Sequence, residues 1–225
     1  MAILRTELFG RDLIGVYLEA NNSFILYPPT LSKSDLQKVT QLFEINIYPF
    51  TVNNSKLVGI YSASNKYGII LPHIIREDEM LKLHKNIKEL GDSIEIKTLK
   101  SLDNAFGNLI LCNDKGAIIS SLLVDYRTEI EDALNVETVV FDFAGIHLPG
   151  SIGIANNHGC LVHPLTELDE IEFISSILKV ETDVSTINRG TPYLSAGAVV
   201  NDNNGIFGLR STGPEMMRLT NVLRL

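Results

Sequence analysis

The sequence predicts an α/β protein: a single domain over residues 1–225 in which five similar αβ units close into a ring. Three observations predict it: a recurring Gly/Asn/Gly frame, a helix signal after each copy, and an N-terminal strand without a partner of its own. The frame is clearest in Gly59-Ile-Tyr-Ser-Ala-Ser-Asn65-Lys-Tyr-Gly68-Ile-Ile-Leu71. It returns as Gly107, Asn113 and Gly116, and as Gly150, Asn156 and Gly159, at the same offsets. Two looser copies complete the set. Gly15 and Asn21 open the chain with Phe24 at the second Gly position, and Ala196, Asp202 and Gly205 close it. The copies begin near 15, 59, 107, 150 and 196, at spacings of 44, 48, 43 and 46 residues, and leave no room for a linker.

Each element follows from local chemistry. Residues 2–8, ahead of the first unit, read as a strand. Within a unit, the apolar stretch before the Asn, such as Leu109-Ile110-Leu111, reads as a buried strand that begins just after the repeat Gly. Asn-x-x-Gly then reads as a tight turn, because Asn bonds its own neighbours and Gly tolerates positive φ. A short return strand such as Ile69-Ile70-Leu71 completes a hairpin. The helix that follows is signalled by capping boxes at Ser32/Asp35 and Thr212/Glu215, with Pro214 in the first turn. Apolar stripes run along it: Leu36, Val39 and Phe43; Met80, Leu83, Ile87 and Leu90; Ile171, Ile174 and Leu178. Met216 and Met217 read as gap-fillers in the core. A third strand follows the first four helices at 45–48, 94–97, 136–139 and 180–183. The fifth helix has none, so strand 2–8 is expected to take that place and cover both open edges.

Composition narrows the function. A chain with 45% hydrophobic and 20% charged residues needs no disulfide or metal to hold a core. Its two cysteines, Cys112 and Cys160, lack CxxC partners and read as small core residues. No HExxH helix, GxGxxG fingerprint or GKS/GKT loop is present, so no metal, cofactor or phosphate cradle is expected. His73, His147, His158 and His163 read as turn or surface residues, and His84 as a partly exposed helix residue. No signal sequence or membrane span is read, so a soluble, cytoplasmic protein is expected. Nineteen basic against 27 acidic residues give a net charge of -8. Such a chain is repelled by a phosphate backbone unless its few cations cluster. A nucleoprotein partner would therefore be met mainly on its protein, with room for one local RNA contact.

Four stretches carry a more specific signal: Gly107-Asn108 with Leu109 to Gly116, Asn156 through Thr166, Thr186-Ile-Asn188-Arg189-Gly190, and Ser211-Thr-Gly213-Pro214-Glu215. Together they resemble the translation initiation factor 6 family over essentially the whole chain. The chain stops right after the fifth helix, and in this it is similar to the archaeal-length forms. The resemblance implies the pentein, or β/α-propeller, fold. It also implies binding to the joining face of the large ribosomal subunit, on a ribosomal protein beside the sarcin–ricin loop. A monomer that blocks subunit joining by occupancy, without catalysis, is expected. It points to the end of the ring where the first strands begin, hence to Ile60, Asn108, Ser151 and Ile152, with Arg189 as a further anchor. The same fold also hosts guanidine-modifying enzymes, which attack through a Cys near the C-terminus. The fifth unit here contains no Cys.

Overall fold

The computed structural model describes residues 2–91 and 94–225. The chain opens with β1 (Ala2–Thr6), and unit one follows as α1 (Ile14–Tyr17), β2 (Glu19–Ala20), β3 (Phe24–Tyr27), α2 (Lys33–Phe43) and β4 (Asn46–Pro49). Unit two comprises α3 (Val58–Tyr61), β5 (Ala63–Ser64), β6 (Gly68–Pro72), α4 (Glu77–Glu89) and β7 (Glu95–Leu99). Unit three runs through α5 (Phe106–Leu109), β8 (Ile110–Cys112), β9 (Gly116–Ile119), a 3-10 segment (Ser121–Tyr126), α6 (Arg127–Leu134) and β10 (Glu137–Val140). Unit four holds α7 (Pro149–Ile152), β11 (Gly153–Ala155), β12 (Gly159–Val162), α8 (Leu168–Leu178) and β13 (Glu181–Val184). Unit five holds α9 (Leu194–Gly197), β14 (Ala198–Val200), β15 (Asn204–Gly208) and α10 (Gly213–Leu223).

Each unit contributes one three-stranded sheet: an antiparallel hairpin whose second strand also pairs in parallel with the strand after the long helix. The fifth sheet takes that last strand from the other end of the chain. There β1 pairs in parallel with β15, from Ala2 opposite Asn204 to Thr6 opposite Gly208. Residue 8 falls beyond the strand, in an isolated bridge to Arg11, yet Leu8 is fully buried.

The stretch after the repeat Gly, expected as strand, starts instead as a single helical turn. The reason is close packing. A Cβ on Gly59 would lie 1.9 Å from the carbonyl oxygen of Gly15, and one on Gly107 would lie 1.8 Å from that of Gly59. Gly150 meets Gly107 at 2.4 Å in the same way, and Gly15 meets Ser195 at 1.8 Å. The short helices thus touch in chain order, and the first touches the fifth. At these four positions any side chain would collide with the neighbouring turn, so glycine lets backbone ride on backbone.

The Asn-x-x-Gly segment works differently from the turn expected. Gly68, Gly116 and Gly159 do not adopt positive φ. A Cβ on them would lie 2.0, 2.1 and 2.0 Å from the carbonyl oxygens of Ala133, Ile177 and Val222, near the end of the next unit's long helix. The Asn beside each Gly has two jobs. Its Oδ1 accepts from backbone N–H groups two and three residues on, as Asn113 does from Lys115 and Gly116. Its Nδ2 donates across the unit boundary: Asn65 to the carbonyls of Asn113 and Leu134, Asn113 to Asn156 and Leu178, and Asn156 to Asn201 and Leu223. Three long helices therefore have a terminal carbonyl capped by the preceding unit.

This pattern corrects the register of the last unit by one residue. Asn201, not Asp202, accepts from the N–H groups two and three residues on, and Ser195, not Ala196, stands where the other units have Gly. Phe24 and Asn204 replace the second Gly at the first and last units. Phe24 packs in the cluster with Leu83 and Ile87 of α4, while the Asn204 side chain accepts from Ala2 N–H at 2.9 Å.

The apolar core is divided into five clusters, and each spans two units. Ile70 of β6 packs with Ile130 and Leu134 of α6, and Ile118 of β9 with Ile174 and Leu178 of α8. Leu161 packs with Leu219 and Leu223 of α10. The fifth cluster joins the two ends of the chain, with Val199 and Ile206 against Leu8, Ile14, Val39 and Phe43. The predicted helix stripes face these clusters. Met217 is an exception: it is exposed, and only Met216 packs on the core.

Candidate functional site

The five short helices present a common set of positions. Val16, Ile60, Asn108, Ser151 and Ala196 each follow the residue that makes the close backbone contact, and their helices surround a cavity of about 110 Å³. Ile60 and Asn108 line that cavity and remain half-buried. The Asn108 backbone N–H bonds Ala105 at 2.8 Å, whereas its side-chain amide makes no hydrogen bond among the described residues. Ser151 is nearly covered, and its carbonyl accepts from Ser195 Oγ at 3.2 Å. Ile152 is fully buried in the cluster with Ile118 and Val162, so its side chain offers no surface and it leaves the candidate set. Sequence reasoning missed Val16 and Ala196 because the two weakest repeats hold them.

Just before each short helix stands another set, Leu13, Leu57, Ala105, Leu148 and Tyr193, which caps its N-terminus without a side-chain hydrogen bond. Leu13 and Tyr193 are exposed and the other three half-buried. The signal was available: an apolar residue two places before the repeat position in every copy.

The loops leading into these caps are held by buried carboxylates. In unit five, Asn188, Arg189 and Gly190 all have positive φ, which turns successive N–H groups inward. Arg189 and Gly190 donate to Glu215 at 3.2 and 2.8 Å, and Thr186 Oγ1 and Thr212 N–H add bonds at 2.8 and 2.7 Å. Burial pushes the Glu215 carboxyl up, but the bonds from Thr212, Gly190 and Thr186 outweigh it and hold the group at about 2. The same cradle recurs where Asn53 and Asn54 donate to Glu79, and where Ala144 donates to Glu170. Arg189 is therefore exposed on a fixed backbone, as an anchoring cation should be.

Other cations share these loops. Lys56 Nζ sits 4.5 Å over the Phe9 ring, Arg210 reaches Asp12 at 3.8 Å, and Asn188 Nδ2 donates to the Asp12 carbonyl at 2.9 Å. Arg11, Lys56, Arg189 and Arg210 thus belong to the leading loops and strand end of units one, two and five, segments that these contacts join.

The cavity interior is polar in places. Glu19 accepts from Ser64 Oγ at 2.8 Å, and burial, partly offset by that bond, raises its carboxyl to about 8. The Glu19 surface that remains accessible faces the cavity. Burial, with Glu19 and Asp114 adding, pushes the Cys112 thiol well above the usual range, and burial pushes Cys160 up to about 12. Both stay protonated at neutral pH, which removes the thiolate that nucleophilic attack requires. Beyond a waist at Ala20, Ser64, Cys112, Ala155 and Val200 lies a polar pocket of about 40 Å³. There Asn22 and Asn157 both donate to Asp202 at 2.8 Å, and Asn157 donates to Asp114 at 2.6 Å.

Ser121, His147 and Asp142 do not form a catalytic relay. Ser121 Oγ and Asp142 Oδ2 both meet the same ring atom, His147 Nδ1, at 3.2 and 2.5 Å, so no second nitrogen links base to nucleophile. His163, expected as a turn or surface residue, does open a turn, its carbonyl accepting from Thr166 N–H at 3.0 Å, but its ring is buried and accepts from Leu165 N–H through Nδ1 at 3.1 Å; burial lowers its pKa. Among the described residues no three His, Cys, Asp or Glu side chains are placed to hold a metal, and no helix is long and apolar enough to cross a membrane.

Five three-stranded sheets, one to each repeat and with long helices between them, define a repeat-built α/β protein. The family model described as the eIF-6 family matches residues 3–222, and the chain belongs to that family. Translation initiation factor 6 of Methanocaldococcus jannaschii is 38% identical over 224 residues, 99% of this chain and 98% of the relative. The same-named proteins of Pyrobaculum aerophilum and Staphylothermus marinus are 36% and 34% identical, with 96% and 97% of this chain covered and 96% of each relative. Membership implies a role in translation initiation or ribosome biogenesis.

Proposed function

We propose that this chain is one five-unit pentein ring, closed through β1, whose short-helix end binds the joining face of the large ribosomal subunit. While bound it keeps the small subunit away by occupancy alone, as a monomeric, cytoplasmic, non-catalytic factor. The observation that carries this reading is the recurrence of apolar residues at the starts of all five short helices, beside loops that carry exposed cations. Leu13, Leu57, Ala105, Leu148 and Tyr193 supply apolar contact, and Ile60, Asn108 and Ser151 sit behind them nearer the axis. Arg189, with Arg11, Lys56 and Arg210, suits a limited contact with ribosomal RNA beside the ribosomal protein on which the rest would dock.

The energetics are modest. A standard interface of ~1,600 Å² with a few good anchors reaches nanomolar affinity. Free factor at about 100 times its dissociation constant then disfavours joining by ~2.7 kcal/mol.

Sucrose-gradient sedimentation with separated subunits tests the proposal. The protein should travel with large subunits and reduce the joined fraction as its concentration rises. Free joining in excess protein, or protein that stays at the top of the gradient, rejects it.

A further inference from the structure

The negative charge of this chain is concentrated in one sector. Residues 116–184 contain twelve acidic side chains and two basic ones, while the rest of the chain has fifteen acidic and seventeen basic. The whole net charge of -8 therefore originates in the segment that builds most of units three and four. Among the described residues three of these acids have Lys or Arg partners: Glu129 with Lys97, Glu131 with Arg127, and Asp183 with Arg218. Asp142 meets His147. Around the start of α8, Glu167, Asp169 and Glu172 are exposed and make no ion pair among the described residues.

Large apolar side chains stand exposed among these acids. Leu165 and Leu168, which flank Glu167, are 74% and 80% exposed, and Phe173 is 40% exposed. Phe173 rests edge-on against Phe141 at 4.7 Å. Phe141 follows β10 and precedes Asp142, which accepts from Ser121 N–H at 3.1 Å, and Ser121 leads into Leu122 and Val124, 48% and 56% exposed. The band thus runs from the 3-10 segment, past the end of β10, to the outer side of α8. Its apolar residues face solvent at the cost of unfavourable hydration.

We propose that this band on the perimeter of units three and four docks a basic segment of another protein, rich in Lys and Arg and carrying two or three large apolar residues. Charge complementarity selects that occupant. A nucleic acid or an anionic membrane is repelled by Glu167, Asp169 and Glu172, and a second copy approaching with the same face meets like charge. Apolar residues alternating with carboxylates match a segment that presents both kinds of group, and neither half alone would be specific. The surface does not depend on Ile60, Asn108 or Arg189, so its fate is separable from ribosome binding.

The test uses the full chain and a fluorescein-labelled amphipathic helix of Lys and Leu, with a Glu and Leu twin as control. Anisotropy should show binding of the Lys peptide that weakens with salt, and none of the twin. Leu165→Ser with Leu168→Ser, and Glu167→Gln with Glu172→Lys, should each lower affinity at least about tenfold while leaving the melting temperature unchanged. Leu81→Ser with Leu209→Ser, exposed residues outside the band, should leave affinity as it was. The proposal is overturned by absent binding, by equal binding of the twin, or by a loss in the band variants no larger than in the control. A concentration-dependent dimer that Leu168→Ser abolishes would assign the face to a second copy and also overturn it.

Discussion

At the scale of single residues, two carboxyls with opposite shifts, buried Glu215 and half-buried Glu19, shape the response to pH. Glu215 is held at about 2, below its unfolded value near 4.5. The unfolded chain thus binds the proton more readily, and this contribution to stability is full above about pH 4.5 and lost as pH falls toward 2. Glu215→Ala should cost about 2–4 kcal/mol at neutral pH, since it leaves the Arg189, Gly190 and Thr212 N–H groups without their acceptor; thermal melts against pH measure it. Glu19 runs the other way. Its folded pKa of about 8 lies above the ordinary 4.5, so the folded state binds the proton more tightly and stability falls as pH rises between the two. Glu19→Gln should therefore be more stable than the parent at pH 9, on the order of 3 kcal/mol, and should flatten the melting profile above pH 6. Asn108 is a surface question. Its side-chain amide makes no hydrogen bond among the described residues, so Asn108→Arg should leave the melting temperature within a degree or two and reduce co-sedimentation with large subunits. Unchanged co-sedimentation would remove Asn108 from the contact surface.

At the scale of elements, the units are joined by two devices that leave little tolerance. One is the stacking of the short helices. Gly107→Ala places a Cβ 1.8 Å from the Gly59 carbonyl oxygen, so the two turns must move apart; a loss of about 3 kcal/mol or more is expected in denaturant unfolding. The other is the Asn that reaches into the next unit. Asn113 bonds the Lys115 and Gly116 N–H groups with its oxygen and the Asn156 and Leu178 carbonyls with its nitrogen. Asn113→Ala should cost about 2–3 kcal/mol, and Asn113→Asp more at neutral pH, because a carboxylate cannot donate to those two carbonyls. A variant as stable as the parent would show that helix packing alone aligns the units.

At the scale of the whole molecule, every core cluster draws on two units, so no unit can bury its apolar face alone. Removing residues 1–8 exposes the β15 edge and deletes Leu8 from the cluster that unites the chain's two ends, and should lower stability by roughly 3 kcal/mol or more across a single transition. An unchanged melting temperature would mean that the ends are not energetically coupled. Much of this plan was legible in the residue order. The repeat spacing, the capping boxes at Ser32 and Thr212, the helix stripes and the unpaired first strand are local or periodic signals, and they predicted five units and the partner of β1. What periodicity could not decide was which atoms lie across a boundary. Gly68 looked like a turn glycine, yet it is small because Ala133 of another unit presses on it. Ile152 looked like a neighbour of Ser151 at the surface, yet one helical turn sends it into the core. The slip between Ser195 and Ala196 arose because Asn201, Asp202 and Asn204 all suit a turn, and only the bonds that the folded chain makes select among them. Sequence by itself determined the number of units and their order, since each is written in short-range patterning. Tertiary structure alone decided which side chains face outward, because that depends on contacts between residues more than forty positions apart.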